Sequence, residues 1–377
     1  MNDPVTHNAV MDSFDDPRRI CLLSAYRADS HAAWADGLVR DHGAYHWQRF
    51  ELPGRHFAWR IRGNPLSWLH DFGGPPPDAI VATSMVDLAT LRGLHPGLAN
   101  APTLLYFHEN QFAYPRSERQ TTSVDAQMVQ LYAALCADRV LFNSQFNRTS
   151  FLAGVASLLD RMPDHVPDGV DSILAGKSGV LPVPVTAIAP APQRDRRLIV
   201  WNHRWDYDKG PDLFAEAMVE LDRRGAEFRL ALLGPRGSRP VPALDRLRSR
   251  LGGRIEIDDC PSRADYEAVL ARAGVVVSTA HHEFQGLAVL EAVSAGCVPL
   301  VPDGLCYREQ FPVALRYPAG DVAHLAGRLQ RWFDGEAPMP AAPPVDAWTG
   351  PESKAGWTEE LVRLLGTKRG DGNKASD

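Results

Sequence analysis

Two acids eight residues apart, Glu283 and Glu291, and two cations five apart, Arg204 and Lys209, have the spacing and chemistry of a binding site. The acids lie in GVVVSTAHHEFQGLAVLEAVSAG, residues 274–296. Its β-branched run at 275–277 predicts a buried strand ending near Ser278, and Gly286 opens an apolar helical run. Eight residues span a little over two helical turns, so with Glu283 at the helix entry both carboxylates can line one edge. A strand, a polar loop and a helix N-terminus make an anion-binding crevice. The amides of Phe284, Gln285, Gly286 and Leu287 are then placed to meet phosphate or sugar oxygens. Carboxylates accept from paired hydroxyls, which suits Glu283 to a sugar and Glu291 to a ribose diol. The alternative is a solvated Glu283 and a Glu291 paired with a neighbouring arginine.

Arg204 and Lys209 flank a turn in HRWDYDKGPDLF (203–214), and Gly210-Pro211 can start the next helix. A planar fork and a mobile ammonium beside a helix N-terminus suit a diphosphate. Asp206, Asp208 and Asp212 leave a solvated basic–acidic turn as the other reading. Asp206-Tyr207-Asp208 also spells D-x-D, a metal–diphosphate signal elsewhere. Either motif alone is weak; the two together are specific.

The elements that must position these residues repeat through the chain. Strand candidates at 20–25, 45–53, 79–84, 103–108 and 139–144 alternate with helical patterns near 31–41, 85–95, 124–136 and 145–160. After a Pro-rich stretch, strands at 198–203, 228–234, 255–259, 274–280 and 298–303 alternate with helices near 211–224, 241–251, 263–273 and 286–295. Such alternation predicts two doubly wound α/β domains with parallel sheets, whose ligands bind beyond the C-terminal strand ends. The expected division is a disordered leader (1–17), a first domain (18–185), a linker (186–197) and a second domain (198–345). A helix (346–366) packing at the domain junction and a polar tail (367–377) follow.

The chain has 377 residues and a net charge of −6, which excludes a uniformly basic nucleic-acid binder but not a local basic face. The five cysteines form no C-x-x-C pair; four fall within or beside apolar runs, which suits small buried hydrophobes in a reducing compartment. The first residues lack a signal peptide's apolar core, and no run approaches the roughly 20 apolar residues of a membrane span. A cytoplasmic protein with no membrane partner is expected. Nothing in the sequence speaks to oligomeric state.

HRWDYDKG (203–210) and HHEFQGLAVLEAVSAGCVPL (281–300) resemble the nucleotide-sugar domain of GT-B glycosyltransferases, particularly the retaining family four. YFHENQFAYP (106–115), VLFNSQFN (140–147), MPDHVP (162–167) and RHFAWRIR (55–62) narrow this to a resemblance to the tRNA-queuosine α-mannosyltransferase family, over residues 19–365. That resemblance implies a GT-B fold, two Rossmann-like domains facing a central cleft. It implies transfer of mannose from GDP-mannose, with retention, to queuosine in a tRNA anticodon of the tRNA-Asp type. Carried over by position, Arg204 and Lys209 would bind the diphosphate, Glu283 and Glu291 the sugar and ribose, and His108 would face the reacting centre. Neither a metal nor a resident cofactor is implied. His108-Glu109-Asn110 lacks the second histidine of a helical zinc pair.

One departure concerns the first loop, YRADSH (26–31), where Ala28-Asp29 replace a glycine pair of the family. The loss puts a close diphosphate contact there in question. Asp29 adds an opposing charge that Arg27 can offset. Ser30 and His31 remain to cap the following helix or to touch donor or acceptor. For the acceptor, His56, Trp59, Arg60, Arg62 and Trp68 interleave charge with aromatics, suiting phosphate contact and base stacking. Glu109, Asn110 and Gln111 extend that surface. A second cluster, Arg236, Arg239, Arg246, Arg248, Arg250 and Arg254, reads as a solvated face or an RNA contact. Two rivals stay open: a GT-B enzyme for a lipid, glycan or small metabolite, and a two-lobed binding protein without chemistry.

Overall fold

Most strands of both sheets form from the apolar runs that the sequence marks. The computed structural model describes residues 17–114, 124–237 and 240–366, so residues 1–16 of the leader, Arg239 and the tail lie outside it. The first sheet contains β1 (Arg19–Arg27), β2 (His46–Pro53), β3 (Ala79–Thr83), β4 (Thr103–Phe107), β5 (Arg139–Phe142) and β6 (Ser178–Val180). The second contains β7 (Asp195–Trp201), β8 (Arg229–Leu232), β9 (Ile255–Asp258), β10 (Ala273–Val277), β11 (Val298–Pro302) and β12 (Arg316–Tyr317). All pairings are parallel, in the orders β2-β1-β3-β4-β5-β6 and β12-β11-β10-β7-β8-β9.

Strand residues alternate between faces. Leu23, Ile80, Ala82 and Leu105 join one core of the first sheet, and Ile20, Leu22, Val81 and Tyr106 join the other. The first core is closed by the helices that follow the strands, with Leu88, Val129 and Phe151 as contributors. The second is closed by Trp34 and Leu38 of the Asp29–Asp41 helix together with Trp357, Leu361 and Leu364 of the Pro351–Gly366 helix. The C-terminal helix therefore returns to complete the first domain. Ion pairs fix its seat: Arg139 holds Glu360 at 2.7 Å, and Lys354 reaches Asp41 at 3.3 Å.

Several details differ from the sequence expectations, among them β6 and β12, which no predicted run covers. β7 starts at Asp195, so the last residues of the 186–197 linker belong to the second sheet. Helices Phe57–Ser67 and Val322–Phe333 are additional. The former carries Gly63 and Pro65, which argue against a helix interior, yet both are buried. The latter is capped by the Asp321 carboxylate, which accepts from the amide of His324 at 2.8 Å.

In the second sheet, connections leave β7 and β10 towards opposite edges while the strands lie side by side, Ile199 against Val275. Such a switch point opens a crevice at the strand ends. The equivalent position in the first sheet lies between β1 and β3. Together these edges wall an interdomain cleft.

Candidate active site

The loops after β7 and β10 are braced against each other before any ligand is considered. Gly210 takes a left-handed conformation (φ 62°), and a Cβ there would lie 2.2 Å from the Thr279 carbonyl oxygen. Only glycine permits that approach. The Thr279 hydroxyl donates to the carbonyl of Lys209 at 2.9 Å, and the amides of His281 and His282 donate to that of Asp208 at 2.9 and 3.1 Å. This bracing brings the cationic and acidic motifs into direct contact. The buried Lys209 Nζ lies 2.9 Å from Glu283 Oε2, 3.1 Å from the His282 carbonyl and 3.3 Å from Asp208 Oδ2. Burial opposes the charge on Glu283, but Lys209, His203 and the Gly286 amide outweigh it and hold the carboxyl at about 2. Burial likewise opposes Lys209, and the Glu283 and Asp208 carboxylates reverse this and raise its pKa.

Arg204 is more exposed and is paired with Asp206 and, at 3.5 Å, with Asp208. Both carboxylates of the D-x-D are thus held by cations. Among the described residues, no three His, Cys, Asp or Glu side chains gather as metal ligands.

A cavity of about 260 Å³ lies between the domains. His31, His108, Glu109 and Tyr114 form its first-domain wall, and Asn202, His203, Arg204, Lys209, Glu283 and the start of the Leu287–Ser294 helix form the other. His108 stands at the end of β4, its ring 4.2 Å from that of His31 and flanked by Trp34 and Tyr106 at 4.8 Å each. Burial lowers the pKa of His31, His203 and His282 to about 4, and burial with the nearby His31 lowers that of His108 well below its ordinary value. All four imidazoles are therefore neutral near pH 7. Among the described residues, five buried polar atoms of this neighbourhood lack a hydrogen-bond partner: His31 Nδ1, His108 Nε2, Asn202 Oδ1, His203 Nε2 and His282 Nε2. Buried polar atoms are rarely left so. A polyhydroxylated ligand would satisfy them.

Glu109 is the contrast to Glu283. Burial raises its carboxyl to about 7, with Arg204 and Lys209 opposing and Asp208 assisting. No cation pairs with it among the described residues; Gln111 Nε2, at 3.4 Å, is its side-chain neighbour.

The remaining predicted residues are placed less uniformly. Glu291 faces a second cavity of about 720 Å³, which shares Ser30, Val183 and Leu287 with the first. The two acids therefore do not line one edge of one cavity. Glu291 Oε1 accepts from Arg263 at 2.7 Å and Oε2 from the Tyr266 hydroxyl at 2.8 Å. Ser30 lies inside the first turn of its helix, whose cap position is Ala28, so neither Ser30 nor His31 caps it. The Asp29 side chain lies outside the described residues, and Arg27 is engaged by Glu51 at 2.5 Å and Asp36 at 2.9 Å rather than by this loop.

The side chains of Gln285 and Asn110 are structural. Gln285 exchanges 2.9 and 2.8 Å hydrogen bonds with the backbone of Val183, tying the end of the first domain to the site. Asn110 is fully buried, donates to Asn147 Oδ1 at 2.8 Å and accepts from the amides of Phe112 and Ala113. An acceptor contact by its side chain is ruled out by these bonds; it shapes the loop that carries Glu109. Arg62 pairs with the buried Asp87 at 2.8 Å. Trp59 is half exposed on the helix that begins at Phe57, next to Tyr26. In the second basic cluster, Arg236, Arg246, Arg248 and Arg254 pair with acids, notably Asp258, Glu216 and Asp222.

Tyr114, Asn202, His203, Arg263 and Tyr266 join the site without having been predicted. His203 stands beside Arg204 at the end of a strand and was legible by position. Arg263 and Tyr266 sit on a helix preceding β10, and only packing brings them to Glu291.

Two facing Rossmann-like domains with a cation–carboxylate pair at the switch point define a GT-B glycosyltransferase. The structure of sucrose-phosphate synthase from Thermosynechococcus elongatus superposes with a TM-score of 0.68 at 16% identity, over 92% of this chain and 99% of that one. TarM superposes with a TM-score of 0.57 at 12% identity, over 82% of this chain and 58% of TarM, so the chain spans little more than half of TarM. The particular family follows from sequence. The family model of the tRNA-queuosine alpha-mannosyltransferase N-terminal domain matches residues 19–185, and that of glycosyl transferases group 1 matches 196–334. The tRNA-queuosine alpha-mannosyltransferase of Drosophila melanogaster is 31% identical over 310 residues, 78% of this chain and 81% of the relative. The chain belongs to the tRNA-queuosine alpha-mannosyltransferase family.

Proposed function

We propose that this enzyme transfers mannose, with retention, from GDP-mannose to the cyclopentenediol of queuosine in a tRNA anticodon of the tRNA-Asp type. The observation that carries the reading is the convergence of Lys209, Glu283 and unpartnered buried imidazoles on one interdomain cavity. Arg204 and Lys209 would stabilise charge growing on the leaving diphosphate, assisted by the amides that open the Leu287–Ser294 helix. Glu283, ionised at neutral pH, would hold sugar hydroxyls. Glu291 would take the ribose diol. Neutral His108 and His31 can each donate and accept towards the sugar.

Among the described residues, no side chain stands out as a covalent nucleophile. Front-face attack follows, the departing phosphate helping to take the acceptor proton. Closing the cleft would exclude water, whose attack on the donor is the competing reaction. The reaction is taken as metal-independent because Arg204 and Lys209 would supply two cations to the diphosphate and the D-x-D carboxylates are paired with them. EDTA should then leave the rate unchanged.

The acceptor surface is read from the Phe57–Ser67 helix. Residues 52–70 hold three arginines and two histidines but no acid, in a chain of net charge −6. Phe57 packs on Tyr26 beside the cleft, with ring centroids 6.1 Å apart. Exposed Trp59 and the adjacent Arg60 would stack on and steer the anticodon loop. A tRNA acceptor fits work in the cytoplasm. Among the described residues, no helix is long and apolar enough to cross a membrane.

The test is incubation with several labelled sugar nucleotides and queuosine-containing tRNA, followed by nucleoside mass spectrometry. A hexose mass added to queuosine from GDP-mannose alone is expected. Transfer to a lipid, glycan or metabolite, with queuosine unchanged, would overturn the proposal.

A further inference from the structure

The larger cavity, about 720 Å³, holds an arginine that the donor contacts above leave without a task. Arg263 is the first residue of the Arg263–Arg272 helix, and the preceding Ser262 caps it through the Asp265 amide. Its Nη1 donates to Glu291 Oε1 at 2.7 Å and its Nε to Glu267 Oε1 at 2.6 Å, and its guanidinium lies 5.4 Å from the centre of the Tyr266 ring. With the Tyr266 hydroxyl on Oε2, each oxygen of Glu291 already has a donor. A ribose diol needs those same oxygens.

A diol arriving at Glu291 competes with the Arg263 fork for Oε1. The Arg263 side chain is 52% exposed, so it can turn without unpacking a core. Glu267 and the Tyr266 ring keep it on the cavity wall as it does so. The displaced fork then faces whatever heterocycle the ribose carries. We propose that Arg263 reads the nucleobase of the donor and selects guanine. Guanine presents N7 and O6 as adjacent acceptors on one edge, matching two parallel N–H groups. Adenine places an amino donor where guanine has O6, and the pyrimidines have no N7. The inference rests on Glu291 holding the ribose of a guanosine donor.

Calorimetric dissociation constants of GDP, ADP and UDP, measured on the full chain and its variants, test it. The wild-type protein should prefer GDP. Arg263→Ala should weaken GDP roughly 10- to 100-fold, the range of one bidentate base contact, while UDP shifts about twofold or less. Arg263→Lys keeps the charge without the planar fork and should retain only part of the preference, between alanine and wild type. Equal weakening of GDP and UDP in Arg263→Ala would make Arg263 only a brace for Glu291 and overturn the inference. An undiminished GDP preference in either variant would overturn it as well. Absence of any GDP preference in the wild-type protein would instead sink the guanosine-donor reading, and the inference with it, before a variant is made. Thermal melts of each variant confirm that a folded protein was titrated.

Discussion

Glu283→Gln isolates the charge in the centre of the site because it keeps the shape of the side chain and removes only its ionisation. The native carboxylate lies 2.9 Å from Lys209 Nζ and is held at about 2, against an ordinary value of 4.5. At about 1.36 kcal/mol per pH unit, that gap corresponds to about 3 kcal/mol favouring the folded state. A depressed folded pKa contributes fully above the unfolded value and fades as pH falls towards the folded one. The variant should therefore be less stable by about 3 kcal/mol at pH 7, with the deficit shrinking to about 2 kcal/mol at pH 3.5. Urea unfolding of both proteins at pH 7, 5 and 3.5 measures this directly. Transfer should be lost at every pH. Equal stability at pH 7, or a deficit that does not change with pH, would refute the argument. Lys209→Ala is the harsher change, since it leaves the buried Glu283 without a cation and Asp208 with Arg204 alone at 3.5 Å, and about 3–5 kcal/mol is expected from breaking such a buried pair.

Burial raises Glu109 to about 7, so a carboxylate charge appears beside Arg204 and Lys209 as pH rises through that value; Glu109→Gln should remove the step this puts in a pH–rate series. Its stability effect has the opposite sign from that of Glu283. Ionising a buried acid with a raised pKa costs stability, so wild type should lose ground to Glu109→Gln between pH 4.5 and 7. Trp357→Ala removes a fully buried ring that contacts Tyr106 and Trp34, and about 3–5 kcal/mol should appear in denaturant unfolding. Trp59→Ala and Arg60→Ala should raise KM for tRNA without changing GDP binding. Arg60→Ala should also reduce the salt slope of tRNA binding by about one.

The sheets were legible because Val275, Val276 and their counterparts are β-branched runs bounded by turn residues. β6 and β12 were not, since SGV and RY carry almost no strand signal and owe their pairing to neighbours. The Phe57–Ser67 helix hid behind Gly63 and Pro65. Its residues were read as a basic–aromatic surface, and the fold supplied the helix that presents Trp59. In the site, Arg204, Lys209, Glu283 and His108 could be picked out because each is a charged or polar side chain at a strand's C-terminal end. Their mutual engagement could not, because the Lys209–Glu283 contact depends on Gly210 nesting against Thr279. The same holds for Asn110, whose position beside Glu109 suggests ligand contact while its buried bonds to Asn147 assign it to the loop.

The return of the Pro351–Gly366 helix to the first domain sets an order for synthesis. Ile20, Leu22, Trp34 and Tyr106 emerge from the ribosome early, but Trp357, Leu361 and Leu364, which share their core, emerge last. The second sheet, closed by helices within its own span, has its core residues between 185 and 345 and can be completed first. The first-made domain is thus the last to close. Until then it presents an apolar face bearing Trp34 and Tyr106, and nascent chains with such exposed surface aggregate readily. In topological terms the second domain is an insertion within the first, and two chain crossings rather than one tether the lobes across the cleft.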